Sequence, residues 1–255
     1  MMLELKRHNQ SEDFSGAWCN TDPVTSSVLE AVSLITPVLE KFFIRTVADA
    51  LPETSDAALA ERCQEFIREE SNHSRVHHKF NASLFRYLGK TPPGLAFMEA
   101  LLNGVRRHLS LNKQLMLASA LEHLTAVLST AYLKQEKRLN MDSAFARELF
   151  TFHAHEEIAH CSVVFDLWRT RPGNSHSGRM LTILSILLAG AIYIGLAVPW
   201  ILYRKNGKQL GRTARDLLRQ AFRSPKGIKQ YSPLVEMFSF TRHGYHPDLL
   251  FKAGQ

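Results

Sequence analysis

Only three of the 255 residues are cysteine, and Cys19, Cys63 and Cys161 show no CxxC spacing. This excludes a zinc ribbon and a small disulfide scaffold, and an odd number leaves one thiol unpaired in any pairing. Reduced thiols in the cytosol are the expectation. Glycine and proline are scarce before residue 170, and no apolar/polar alternation bounded by hairpin turns occurs, which argues against a sheet protein. The start, MMLELKRHNQSEDF, lacks the apolar stretch of a signal peptide, so the N-terminal part is expected to stay where it is made. Acidic residues are scarce at one end. Residues 171–255 hold 13 Lys+Arg against 3 Asp+Glu, whereas residues 1–170 hold 18 against 21, so the net charge of +7 is a C-terminal property.

What is present is helical periodicity and 45% apolar residues, enough for a sizeable core. The spacing predicts helices over Thr25–Leu51, Ser55–Tyr87, Gly94–Leu109, Ser110–Leu139 and Ser143–Arg169. Pro37 lies inside the first of these and should kink it and free a carbonyl. The caps expected are Ser or Asp before the second helix, Gly89 after it, and Asp142 or Ser143 before the last. Four long helices with one longer connection are the parts of a four-helix bundle. The segment RPGNSHSG is the expected boundary at its end.

Two of these helices carry the same pattern: Glu69-Glu70-Ser71-Asn72-His73 and Glu156-Glu157-Ile158-Ala159-His160. Chance alone supplies about one ExxH in a chain of this composition. Placement is what counts. Glu at i and His at i+3 share a helix face, and each of these helices follows one with a mid-length carboxylate, Glu40 and Glu122. The set Glu40, Glu70, His73, Glu122, Glu157 and His160 is the ligand pattern of di-iron and di-manganese carboxylate proteins. Four core carboxylates would be strongly destabilising alone, while two divalent cations neutralise them, and hard oxygen donors with two imidazoles suit iron or manganese.

Alone, Glu40 fits an exposed position on an amphipathic helix, and Glu122 fits a partner for a buried His or Arg. Glu69 and Glu156 sit about 100° around their helices from Glu70 and Glu157, which turns them to solvent or to the outer side of the ligands. His153 and His77 fall on the inward stripe, each as a further ligand or as a core histidine orienting one. His78, His123 and His155 lie off that face. The HExxH pattern of zinc peptidases is absent.

The six-residue set resembles the ferritin-like di-iron superfamily, and a third histidine, His153, four residues before Glu157 is similar to the arrangement in di-iron arylamine N-oxygenases. The longer reading EExxH…Glu…HxxEExxH, followed by a C-terminal GYHP, resembles the bacterial family of predicted metal-dependent hydrolases over about residues 18–250. Phe152 stands where that family commonly has Trp, a change expected to affect packing more than ligation. The expected architecture is an all-α, ferritin-like four-helix bundle over residues 1–172, followed by a membrane-associated helical tail over 173–255. The expected function is an oxidoreductase with two Fe ions (or Mn) that activates O₂ to oxygenate or desaturate a small organic substrate, the tail pointing to an amphiphilic one, with Glu70, Glu122 and Glu157 the catalytic carboxylates and an electron donor the sequence does not name. One rival is a binuclear metal-dependent hydrolase that uses metal-activated water. The other is an iron-binding or peroxide-scavenging protein.

Met180–Tyr203 contains no charge and is long enough to cross a ~30 Å hydrocarbon layer. Basic residues flank both ends, which favours keeping both on the cytoplasmic side, and Gly190, Gly195 and Pro199 permit a bent or re-entrant pair. The alternative is a core helix of a soluble protein. The following KQLGRTARDLLRQAFR reads as a basic amphipathic helix on an anionic membrane surface. Aromatic residues do not interleave its arginines, which argues against nucleic acid. A homodimer is left open.

Overall fold

The computed structural model describes residues 13–20, 22–171, 176–206 and 233–251, and the fold is all-α. Helices α1 (Pro23–Ala50), α2 (Ala57–Leu88), α3 (Leu95–His108), α4 (Leu111–Gln135), α5 (Ala144–His160), α6 (Val163–Arg169) and α7 (His176–Asn206) are followed by two short ones, α8 (Pro233–Met237) and α9 (Pro247–Phe251). Among the described residues the sole extended pairing is an isolated bridge between Cys19 and Met141. The expected basic amphipathic helix over 208–223 lies outside the described residues.

Local chemistry sets the helix ends. The Asp22 carboxylate accepts from the amides of Val24 and Thr25, with Pro23 opening α1. Asp56 does the same for α2, and Gly89, at φ +69°, closes it. Of the two cap candidates before α5, Ser143 accepts from Ala146 N at 2.9 Å. Helix α1 runs unbroken through Pro37, which has no N–H to offer the Ser33 carbonyl. Asn81 of α2 takes over that role, donating from Nδ2 to Ser33 O at 2.9 Å. The expected liability thus becomes a bond between α1 and α2.

The helix expected over Ser143–Arg169 is instead two. It breaks at Cys161–Ser162, directly after His160. No glycine or proline marks the break; a tertiary contact does, with Arg62 of α2 donating to Ser162 Oγ and to Asp166 of α6.

Helices α1, α2, α4 and α5–α6 pack around a common interior, with α3 making the long connection between α2 and α4. The interior has two apolar layers. One includes Leu34, Val76, Phe80, Phe150 and Trp18, the other Phe42, Phe43, Phe66, Leu121, Phe165 and Trp168. On α1, α2 and α5 the acidic and imidazole residues fall in sequence between the two layers. The three cysteines are free and buried.

Helix α7 is long and apolar enough to cross a membrane by length and composition. It also packs along the bundle: Tyr193 donates to Ala31 O, Arg204 to Leu88 O, and Lys205 reaches Glu30 at 2.6 Å. At its other end the Arg179 guanidinium lies 4.9 Å from the Trp168 ring centroid.

Candidate metal centre

The spacing that placed Glu and His on one helix face holds in three dimensions. Glu40 comes from α1, Glu70 and His73 from α2, Glu122 from α4, and Glu157 and His160 from α5, and every one of them is buried. Glu70, His73 and Glu157 each offer a ligand atom within 4.8 Å of one another, and so do Glu40, His73 and His153. His160 Nδ1 is 3.0 Å from Glu70 Oε1, and Glu122 is within electrostatic reach of Glu157, Glu70 and Glu40. His153 joins the group through Nε2, 3.3 Å from Glu157 Oε1.

His77 does not join either triplet. Its Nδ1 meets Ser33 Oγ at 2.8 Å, and Ser33 Oγ donates to Asn81 Oδ1. Because the serine proton is used on Asn81, His77 must donate from Nδ1, and its ring is a core histidine stacked edge-on against His153.

Glu69 and Glu156, expected in solvent or on the outer side of the ligands, take the second place by crossing between helices. The imidazole of His73 (α2) bonds through Nε2 to Glu156 (α5), and that of His160 (α5) bonds through Nε2 to Glu69 Oε2 (α2) at 2.5 Å. Each EExxH segment thereby uses its second Glu and its His inside and its first Glu to hold the other segment's histidine. With Nε2 so engaged, the Nδ1 atoms face Glu70 and Glu157, so each ring either carries a second proton there or has an Nδ1 lone pair to give to a metal. Such an arrangement requires a cation between them, whether proton or metal.

Electrostatics agree. Burial and neighbouring carboxylates raise Glu40 and Glu122 well above the ordinary carboxylate range, and burial with Glu70 nearby pushes Glu157 up to about 7. Burial would also raise Glu70, but hydrogen bonds from His160 and His73 outweigh it and bring it down to about 2. Burial opposes the charged form of both histidines, yet their carboxylate partners lift His73 to about 11 and His160 to about 9. His153, buried beside His73, is held well below the usual range and stays neutral. Protons here do what divalent cations would do better.

The donor set can be tested against a metal pair by asking which buried atoms have no partner. Both oxygens of Glu40 and of Glu122, one oxygen each of Glu70 and Glu157, and the Nδ1 atoms of His73 and His153 have no hydrogen-bond partner. Buried polar atoms are rarely left so, and their convergence marks a place for ions. Four carboxylates balance two divalent cations. Oxygen and imidazole donors without thiolate fit iron, manganese or zinc.

A family model described as predicted metal-dependent hydrolase matches residues 6–249. The chain belongs to that family. No curated protein and no solved structure matches it. In this predicted metal-dependent hydrolase the C-terminal GYHP segment is a strap over α4 and α6. Gly244 adopts φ +71°. Tyr245 OH donates to His123 Nδ1 at 2.7 Å, while His123 Nε2 donates to the carbonyls of Glu236 and Met237. His246 bonds Asp166, which also receives Arg62. His123 adjoins Glu122, so the strap fixes the turn of α4 that presents that carboxylate.

Sequence reasoning put Glu69 and Glu156 in solvent or on the outer side of the ligands, from their position about 100° from the inner Glu; it did not show which histidine each would meet. Glu156→Ala is expected to weaken metal binding by about 10–100-fold, the usual effect of losing a carboxylate that orients a ligand histidine. Glu156→Gln, which can still accept from His73 Nε2, should retain most of the affinity. Competition with a chromophoric chelator measures both, and equal losses in the two variants would show that charge rather than orientation matters.

Proposed function

We infer that the protein is a binuclear metal-dependent hydrolase whose ions are held by Glu40, Glu70, His73, Glu122, Glu157 and His160, with His153 at the edge of the set. The observation that carries this reading is the convergence of unpartnered buried carboxylate oxygens and imidazole nitrogens between two apolar layers. Membership of the family supports the hydrolytic class. The pattern of one Glu from each of α1 and α4 and Glu-x-x-His from each of α2 and α5 supports a ferritin-like carboxylate centre. Bound divalent cations supply acidified water and polarise a scissile carbonyl or phosphoryl oxygen or, as an iron pair, supply electrons to dioxygen.

The chain's own groups divide the remaining work. Glu69 and Glu156 fix the tautomers of His160 and His73, and their part exposure places the water-facing edge of the site along the α2–α5 seam. Neutral His153, with an unpartnered Nδ1, supplies a third imidazole nitrogen. The rings of Phe66 and Phe152 stand against His160 and His73 and limit water around the histidines.

A second reading, dioxygen-dependent oxidation of an organic substrate by two iron ions, is favoured by one feature: four carboxylates and no thiolate form a hard donor set suited to iron. The two are separated by metal and gas. Protein reconstituted with zinc or manganese under nitrogen is expected to turn over chromogenic esters or phosphoesters. Lack of turnover with any of these metals, together with rapid oxygen uptake by anaerobically loaded ferrous protein, would overturn hydrolysis in favour of oxidation.

A further inference from the structure

Helix α7 has two unlike faces. Ile183 is buried in the apolar layer with Phe42 and Trp168, while Tyr193, Ala197, Val198, Ile201 and Leu202 are buried in the layer with Phe80 and Leu84. The helix therefore lies along the bundle past both layers. Its other face exposes Leu181, Leu184, Leu188, Ile192, Leu196 and Tyr203, six side chains in a stripe that spans 22 residues, about 33 Å, with no charge between its ends. Phe97 of α3, 62% exposed, follows three residues after Gly94, which lies against Tyr193 and Leu196 at the start of that helix.

Length and composition alone would allow α7 to span a bilayer, but its packing does not. A spanning α7 would carry the bundle into the hydrocarbon with it, including the exposed charges of α2, among them Glu61, Glu65, Arg68, Arg75 and Lys79. A helix whose inner face is packed on a charged bundle and whose outer face is uncharged and largely apolar, Ser185 apart, satisfies both best at an interface.

We propose that α7 attaches the protein to an anionic lipid bilayer by lying in the plane of its surface, with the Leu181–Leu196 stripe and Phe97 in the acyl region and the bundle in water. The charge of the chain fits this occupant: residues 171–255, which contain α7 and continue from it, hold 13 Lys+Arg against 3 Asp+Glu, and α3 ends in Arg106, Arg107 and His108. Basic residues in the same stretch of chain as an apolar stripe match acidic headgroups over acyl chains, though eight of the thirteen lie outside the described residues. The orientation also matters for the site. Helix α7 packs on α1, α3, α4 and the end of α2, whereas Glu69 and Glu156 mark a seam between α2 and α5. The water-facing edge of the metal centre is thus turned away from the lipid.

Flotation of the intact protein in detergent-free buffer, with phosphatidylcholine vesicles and with vesicles also containing phosphatidylglycerol, tests attachment. Floating with the anionic vesicles, less with the neutral ones and less at high salt, is the expected result. Leu188→Glu combined with Ile192→Glu should lower the floating fraction at least tenfold while leaving helix content and metal content unchanged. Orientation is read without disturbing the stripe: Arg242→Cys lies near the start of α7 and Lys90→Cys near its end, and the native cysteines are buried. A membrane-impermeant maleimide added outside the vesicles should label both. Labelling of one alone would mean that α7 spans, and would overturn the in-plane placement. A protein that ignores both kinds of vesicle, or that sediments as a dimer which Leu188→Glu dissociates, would overturn attachment and assign the stripe to a second copy.

Discussion

Replacing Glu70 by alanine is expected to reduce bound metal from about two ions per chain to one or none and to lower affinity by more than ~100-fold, beyond the effect of losing an orienting partner such as Glu156. Glu70 is fully buried, approaches both His73 and His160 through Oε1, and shares a triplet with His73 and Glu157. It is the carboxylate common to both histidines, so its loss should be felt by both ions. Elemental analysis after anaerobic reconstitution measures the stoichiometry. The same substitution should destabilise the metal-free protein by about 1–3 kcal/mol, since the Nδ1 of buried His160 loses the carboxylate 3.0 Å away and His73 loses a charge partner. Two ions retained at parental affinity would mean that the centre is assembled without Glu70.

How much of this centre the sequence disclosed follows from which geometry is local. A helix turns by a fixed angle per residue, so Glu70 with His73, and Glu157 with His160, were bound to share a face wherever their helices went. Glu40 and Glu122 were legible only because their helices alternate with those two along the chain. The crossing of Glu69 to His160 and of Glu156 to His73 was not legible, because it depends on the relative rotation and separation of α2 and α5. Nor was the break after His160, which no local breaker marks and which Arg62, about 100 residues earlier, accompanies from another helix. Asn81 filling the bond that Pro37 cannot make, and Tyr245 reaching His123, are likewise pairings of distant residues. The sequence showed the need at Pro37 but not the group that meets it. For α7, composition alone left span, re-entrant pair and core helix open; the contacts of Tyr193, Arg204 and Lys205 with the bundle narrow the choice.

The most informative variant is one expected to improve stability while it ruins the site. Glu122 is fully buried, neither oxygen has a partner, and burial with the nearby Glu157, Glu70 and Glu40 raises it well above the ordinary carboxylate range. Glu40 is raised in the same way, Glu157 to about 7, His160 to about 9 and His73 to about 11. All five hold their protons more tightly folded than unfolded. For the carboxylates, unfolding releases a proton once pH exceeds about 4.5, and for the histidines once it exceeds about 6.5, so stability falls as pH rises through these values toward the folded ones. Metal-free protein in chelator should therefore lose stability between about pH 7 and pH 9, above the range in which His77, His123 and His153, buried and held low, offset the loss from the carboxylates. Bound ions displace the same protons, so metal affinity should rise over that window and the loaded protein should lose less stability or gain. Glu122→Leu removes one uncompensated carboxyl and places an apolar side chain of similar size beside Leu121 and Leu124. It is expected to stabilise the metal-free protein at pH 8 by about 1–4 kcal/mol, to flatten the pH slope, and to leave at most one ion bound. Urea unfolding in chelator at pH 6 and pH 8, for parent and variant, supplies the numbers. A variant less stable than the parent at pH 8 would mean that Glu122 is held by partners other than metal, and the charge balance of four carboxylates with two cations would have to be abandoned.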